Sequence, residues 1–206
     1  MGLVKSNKSA ALPPTPKPGS SITELHARLD DPDPATRRFA ARALASVAAA
    51  GEMLCDRLEV EQDESVRLAL LGSLREHCTP VVVDRLVETL RSEDAGLRSS
   101  VIELLSEWPE AVALRILALL SDPDSDVRIF AVNILSLLAH PDVPVWLKQV
   151  LEEDPHVNVC AAAVDILTDV GSEDAVPALE ALIRRFPVEP FLTFAVGLEL
   201  QRIGPP

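Results

Sequence analysis

The sequence predicts an all-α fold, a right-handed α-solenoid of about six helix pairs. Three observations carry that expectation: a helix-favouring composition, a motif returning every 30 to 32 residues, and apolar positions spaced for one helix face in each copy. Hydrophobic residues make up 48% of the 206-residue chain but aromatics only 3%, with no tyrosine, so Ala, Leu and Val must build the core. That mixture, rich also in Glu and Arg, favours helix over strand.

The repeat is read from aligned segments. Asp122-Pro123-Asp124-Ser125-Asp126-Val127-Arg128 through Leu135 aligns without a gap on Asp154-Pro155-His156 through Leu167. Copies also open at Asp31-Pro32-Asp33, Glu61 and Ser92, and a weaker last copy runs from Pro187 to Leu192. The matching positions are Arg37, Arg67, Arg98, Arg128, Cys160 and Leu192, spaced by 30, 31, 30, 32 and 32. A period of that size marks a stack of one supersecondary unit. The repeats fall at about 20–51, 52–80, 81–108, 109–139, 140–171 and 172–206, within one domain over 20–206.

Within each unit the Asp- and Pro-bearing turn stops one helix and caps the next. Counted from the Arg position, offsets −1, +3, +6 and +7 are apolar, as in Val127, Ala131, Ile134 and Leu135, which makes one buried helical face. The preceding helices are amphipathic too: Ile22, Leu25 and Leu29 follow a Ser21…Glu24 capping box. Pro109, Pro144 and Pro177 stand at helix starts, where a missing N–H does no harm. Trp108 and Trp146, near inter-helix turns, are expected to cover the core's edge.

Residues 1–19 differ in kind. Pro13, Pro14, Pro16 and Pro18 among small polar residues predict a disordered tether. The opening Met-Gly-Leu-Val-Lys-Ser also fits the myristoylation pattern, with Gly2 as acceptor and Ser6 in place. The tail carries three lysines and no acid, so the remainder holds −16 of a formal −13. Such a body repels nucleic acid and anionic lipid. No apolar run approaches the roughly 18 residues of a membrane span. Three scattered cysteines, Cys55, Cys78 and Cys160, suit free thiols in a reducing cytoplasm.

On Asp31-Pro32-Asp33…Arg37, Asp122-Pro123-Asp124…Val127-Arg128 and the following Ala131…Leu135, the chain resembles HEAT-repeat proteins, specifically the short repeats named after phycobilisome lyases. The resemblance covers roughly residues 20–203. It implies a ladder in which Asp33, Asp63, Asp94 and Asp124 bond Arg37, Arg67, Arg98 and Arg128 of their own or neighbouring units. That ladder should give way to apolar packing at Cys160 and Leu192. It further implies that the second helix of each pair lines a concave binding surface.

If the listed offsets face the core, then +1, +5 and +8 point away at about 100° per residue. The predicted partner-binding face is Arg38, Arg42 and Ala45; Leu68, Gly72 and Arg75; Ser99 and Glu103; Ile129 and Asn133; then Asp165. Its basic first third suits an acidic helix or loop of a protein partner.

Catalytic and metal sites are not expected. His26, His77, His140 and His156 are dispersed, and there is no phosphate loop, nucleophile elbow or Cys-x-x-Cys pair. The His-Glu pairs that hold iron in HEAT-repeat deoxyhypusine hydroxylases are absent, and three arginines do not make the basic face that HEAT-like DNA glycosylases need. The expected function is a non-catalytic protein-binding scaffold, monomeric or weakly self-associating and without a cofactor. The alternative is a bilin lyase or tetrapyrrole-handling protein of the phycobilisome-lyase type.

Overall fold

The structure, a computed structural model, describes residues 21–170 and 173–203. The Pro-rich tail and the Gly2 acylation motif lie outside the described residues. Among these residues the fold is all-α, of the α-solenoid kind, and twelve helices follow in six pairs. They are α1 (Ile22–Leu29) with α2 (Pro34–Leu44), α3 (Gly51–Val60) with α4 (Glu64–Leu74), and α5 (Pro80–Thr89) with α6 (Ala95–Ser106). Then come α7 (Pro109–Leu120) with α8 (Ser125–Leu137), α9 (Val143–Glu153) with α10 (Val157–Val170), and α11 (Val176–Arg185) with α12 (Pro190–Ile203). No described helix is long and apolar enough to cross a membrane.

Local chemistry explains where the helices start. Asp33, Asp63, Asp94 and Asp124 are the N-caps of α2, α4, α6 and α8, each accepting a backbone N–H from the first turn. These bonds satisfy donors that a helix end leaves orphaned. Ser21 and Glu24 form the expected capping box on α1. Pro109 opens α7, while Pro144 and Pro177 stand second in α9 and α11.

The chain divides into two compact units between His77 and Cys78. The sequence predicts one domain over 20–206. In a helical repeat, however, each pair touches mainly its neighbours, so the contact network separates readily between pairs. In the first unit α2 packs on α1 and α4, and α3 on α4. In the second, α8 packs on α6, α7 and α10, while α12 packs on α10 and α11. The offsets meant for the core are there: Val66, Leu70, Leu74, Val101, Leu105, Val127, Ala131, Ile134, Leu135, Val159, Ala163 and Leu167 are buried, and only Ile166 is half-exposed. Trp146 is buried and stacks on His140 with ring centroids 4.8 Å apart, closing the edge of the core; Trp108 is half-buried.

The repeat arginines tie each turn to the helix that follows it. Arg37 donates to the carbonyls of Asp31 and Pro32 at 2.8 and 3.1 Å, and Arg128 to those of Asp122 and Pro123 at 2.8 and 3.4 Å. Arg67 donates to Glu61 O at 2.7 Å, and Arg98 to Ser92 O. Each arginine thus makes one bond that reaches back six residues to the head of its own turn. At Arg37 and Arg128 the other side of the guanidinium faces the next helix pair. Arg37 grips Glu61 in a bidentate pair (2.7 and 2.9 Å), and Arg128 grips Asp154 likewise (2.7 and 3.2 Å).

This corrects the expected Asp–Arg ladder at Arg37 and Arg128. The caps Asp33, Asp63 and Asp124 direct their carboxylates at backbone N–H groups, Asp33 and Asp63 at a hydroxyl as well. The acid at the head of the next turn takes the arginine instead, because a planar fork fits a carboxylate approached edge-on. Arg98 departs from this: its guanidinium lies 4.9 Å over the Phe130 ring, and Asp122, which its counterparts would predict as partner, pairs with Arg91.

At Cys160 apolar packing was expected to replace the arginine. The thiol is buried and sits 3.4 Å from the Asp154 carbonyl, but Arg185 arrives from α11 and donates to that same oxygen at 2.8 Å. The thiol keeps the repeat's bond six residues back, and a cation from the next pair adds a second, shorter one to the same oxygen. In the last copy the register also needs correcting by one residue. Thr193 N–H bonds Glu189 O as Arg37 N–H bonds Asp33 O, and Leu192 with Val196 fills the core, so the position matching arginine is Thr193 and not Leu192.

Glu61 concentrates the electrostatics of the first unit. Burial alone would raise its carboxyl, but bonds from Arg37, the Asp63 N–H and Arg57 hold it down at about 2, against an ordinary 4.5. A carboxyl depressed on folding adds stability that is complete above its unfolded value and is lost as pH falls through its folded one. Denaturation curves should therefore show Glu61→Gln less stable than the parent by about 3–5 kcal/mol at neutral pH. The gap should narrow as pH falls from 4.5 towards 2; an equal gap at both ends would contradict the assignment. Leu135→Ala, at a side chain 1% exposed, should cost about 2–5 kcal/mol in the same assay.

Candidate functional site

In the first unit α2 and α4 lie side by side and leave a cleft of about 510 Å³ on their outward faces. Arg38, Arg42 and Ala45 line it from α2; Ser65, Leu68, Ala69, Gly72 and Ser73 line it from α4. The depth has a simple origin. Its floor is made of Ala45, Ala69, Gly72 and Ser73, none larger than a hydroxymethyl group. A Cβ built on Gly72 meets nothing within 4 Å.

The cleft is basic at one wall and apolar at the other. Arg38 donates to Ser65 Oγ at 2.6 Å, and Ser65 in turn donates to the cap carboxylate of Asp63. That relay fixes Arg38 across the mouth and, chiefly through the Ser65 hydroxyl, holds the Asp63 carboxyl below its usual range. Arg42, one turn further along α2, is exposed and makes no ion pair with a described residue. Leu68 is 60% exposed, a large apolar surface beside two guanidinium groups.

Of the predicted inner-face residues, the structure thus brings Arg38, Arg42, Ala45, Leu68 and Gly72 around one cleft. Arg75 caps the C-terminal end of α4, exposed and outside that lining. In the second unit Ser99 and Glu103 are exposed on α6, Ile129 is half-buried and Asn133 exposed on α8, and Asp165 is exposed on α10.

Two further clefts lie in the second unit. One, of about 320 Å³, runs between the turns at Asp122 and Asp154 and is floored by the Arg128–Asp154 pair, so its charges answer one another. The other, of about 240 Å³, lies between α10 and α12 and holds Phe191, Phe194 and Leu198 beside Asp165. Phe194 and Leu198 were missed because the last copy was read one position out of phase, and Phe191 lies outside the +1, +5 and +8 positions in either phase. With Thr193 as reference, Phe194 and Leu198 occupy offsets +1 and +5, the same places as Arg38 and Arg42. The available signal was the doubled apolar pattern of α12, where one stripe builds the core and a second has nothing to bury.

The histidines stay apart. His26 is exposed on α1, His77 is buried, His140 stacks on Trp146, and His156 is half-buried at the start of α10. Among the described residues no group of three or more His, Cys, Asp or Glu side chains is placed to hold a metal ion. Cys55 and Cys160 are buried and Cys78 exposed, and burial pushes the Cys160 thiol up.

Residues 112–190, a stretch within the second unit, match the family model for HEAT repeats. No curated protein matches the chain in sequence. Among solved structures, a designed armadillo repeat protein is 15% identical, with 89% of this chain and 100% of that one covered and a TM-score of 0.40. The CpcE–CpcF complex of phycocyanin lyase from Nostoc sp. PCC7120 is 18% identical over 95% of this chain and 99% of that one, with a TM-score of 0.35.

Replacing Gly72 tests the open geometry of the α2–α4 cleft without a partner. Gly72→Ala should raise stability by about 0.5–1 kcal/mol, since helical glycine has more freedom to lose and the added methyl has room. A loss of stability on thermal melting would mean that the cleft closes in solution.

Proposed function

We propose that this HEAT-repeat chain is a non-catalytic scaffold, soluble in the cytoplasm, which binds an acidic helix or loop of a partner protein in the α2–α4 cleft. The observation that supports it is the company kept by Arg42: an exposed guanidinium with no ion pair to a described residue, above a floor of small side chains, next to an exposed leucine. Arg38 is already oriented by Ser65, so little ordering entropy is lost when a carboxylate arrives. Leu68 supplies an apolar anchor point, and the guanidinium groups select charge and fix register.

The helical repeat suits this task. Its arginines, caps and apolar offsets account for the stacking, while Arg42, Leu68 and Gly72, at the remaining +1 and +5 positions of α2 and α4, have no structural partner that demands their identity, and Arg38 bonds only Ser65. The runner-up, tetrapyrrole handling, would need the propionates of a bilin to reach the same two arginines.

A fluorescent, acidic amphipathic helical peptide, titrated into the full-length protein, checks the reading. Arg38→Glu with Arg42→Glu should weaken binding by about 100-fold, a loss of about 2.7 kcal/mol. Gly72→Trp, which fills the cleft, should weaken it similarly with the fold intact. Unchanged affinity in both variants places binding elsewhere. A visible absorbance shift when biliverdin is added at micromolar concentration would favour the tetrapyrrole reading instead.

A further inference from the structure

The cleft between α10 and α12 differs from the first in both shape and charge. Phe191, Phe194 and Leu198 project from α12 at 70%, 66% and 53% exposure. Their spacing of three and four residues makes a single stripe along the helix. Large apolar side chains scattered singly on a surface are ordinary, but three in a row lining a cavity mark a place where another chain is met. The opposite wall, on α10, presents Val164 and the exposed Asp165.

The charges in this cleft are unequal. Glu199 is buried, and Arg202 neutralises it at 2.7 Å while also donating to Leu167 O. Asp165 has no ion pair with a described residue, so one carboxylate remains open at the lip. The surrounding unit deepens that bias. Residues 78–206 hold 21 Asp and Glu against nine Lys and Arg, a net −12, whereas residues 1–77 hold 11 against ten. Nearly all of the chain's negative charge belongs to the second unit.

We propose that the α10–α12 cleft docks a basic amphipathic helix of a partner protein. Its apolar side chains cover Phe191, Phe194 and Leu198, and a Lys or Arg meets Asp165. Charge complementarity chooses this occupant over the others. A second copy of this chain would bring another unit of −12 against the first, and an acidic segment would set like charges at the lip. The stripe from Phe191 to Leu198 runs about 10 Å along the axis, which matches anchors at i, i+3 or i+4, and i+7 of a facing helix. The site is independent of the α2–α4 cleft, since it lies in the other unit and has the opposite sign.

The probe is a fluorescent Leu/Lys helical peptide of about 18 residues, titrated into the full-length protein at physiological salt. Phe194→Asp and Leu198→Asp should each weaken binding by about tenfold or more. Both add negative charge, so attraction by charge alone would strengthen binding, and the two accounts predict opposite signs. Phe194→Ala should move affinity the same way by less, and Asp165→Asn should weaken it about threefold. Glu110→Gln, exposed on α7, should bind as the parent does. Equal binding of a peptide with alanine in place of leucine overturns the proposal, as does unchanged affinity of Phe194→Asp. A sedimenting dimer that Phe194→Asp dissolves also overturns it, in favour of a second copy. The Arg38 and Arg42 variants should leave this titration untouched, so failure here and failure of the acidic-peptide site remain distinguishable.

Discussion

One contact recurs through both units: a donor at the first turn of the second helix reaches back six residues to the carbonyl at the head of its own turn. Turn carbonyls have no intrahelical partner, and a guanidinium brought to them fixes the angle at which the second helix leaves. At Arg37 and Arg128 the same group also grasps the acid heading the following turn, so a single side chain sets both the shape of one pair and its distance from the next. Buried charges are tolerable only when fully bonded, which is why these guanidinium groups are saturated. Cys160 underlines the rule. When the repeat supplies a thiol, an arginine from α11 joins it on the same carbonyl.

Fixing the helices in this way frees their outward faces. Apart from the bond of Arg38 to Ser65, the +1 and +5 positions that line the α2–α4 and α10–α12 clefts have no part in capping or in the core, so their chemistry can follow a partner's demands. In the first unit they are Arg38 and Arg42 over a small-residue floor, and in the last pair they are Phe194 and Leu198 beside an open carboxylate. Two surfaces of opposite character thus arise from one repeated geometry.

Much of this was legible in the sequence, and the reasons are physical. Asp-Pro turns, the 30-residue period and the −1, +3, +6 and +7 offsets report strong local constraints, and they placed the helices and the buried side chains. Arg38, Arg42, Leu68 and Gly72 could be grouped because helical periodicity alone decides which way they point. The arginine's partner was harder. Asp33 and Glu61 are both acidic residues of turns, and only the backbone geometry shows that the first caps a helix while the second meets Arg37. Arg185 lies 25 residues beyond the thiol it supports, outside any repeat pattern. The last copy lacks both the Asp cap and the Arg, which left its phase unanchored by one residue and hid the aromatic stripe.

The division of labour between saturated and unsaturated arginines is the central claim, and one paired comparison tests it most directly. Arg128→Ala and Arg42→Ala should be measured side by side for melting temperature and for acidic-peptide affinity of the folded protein. The structure predicts that Arg128→Ala melts several degrees lower yet binds as the parent does, whereas Arg42→Ala melts normally and binds more weakly. The reverse pattern, normal melting with lost binding for Arg128→Ala, would contradict it.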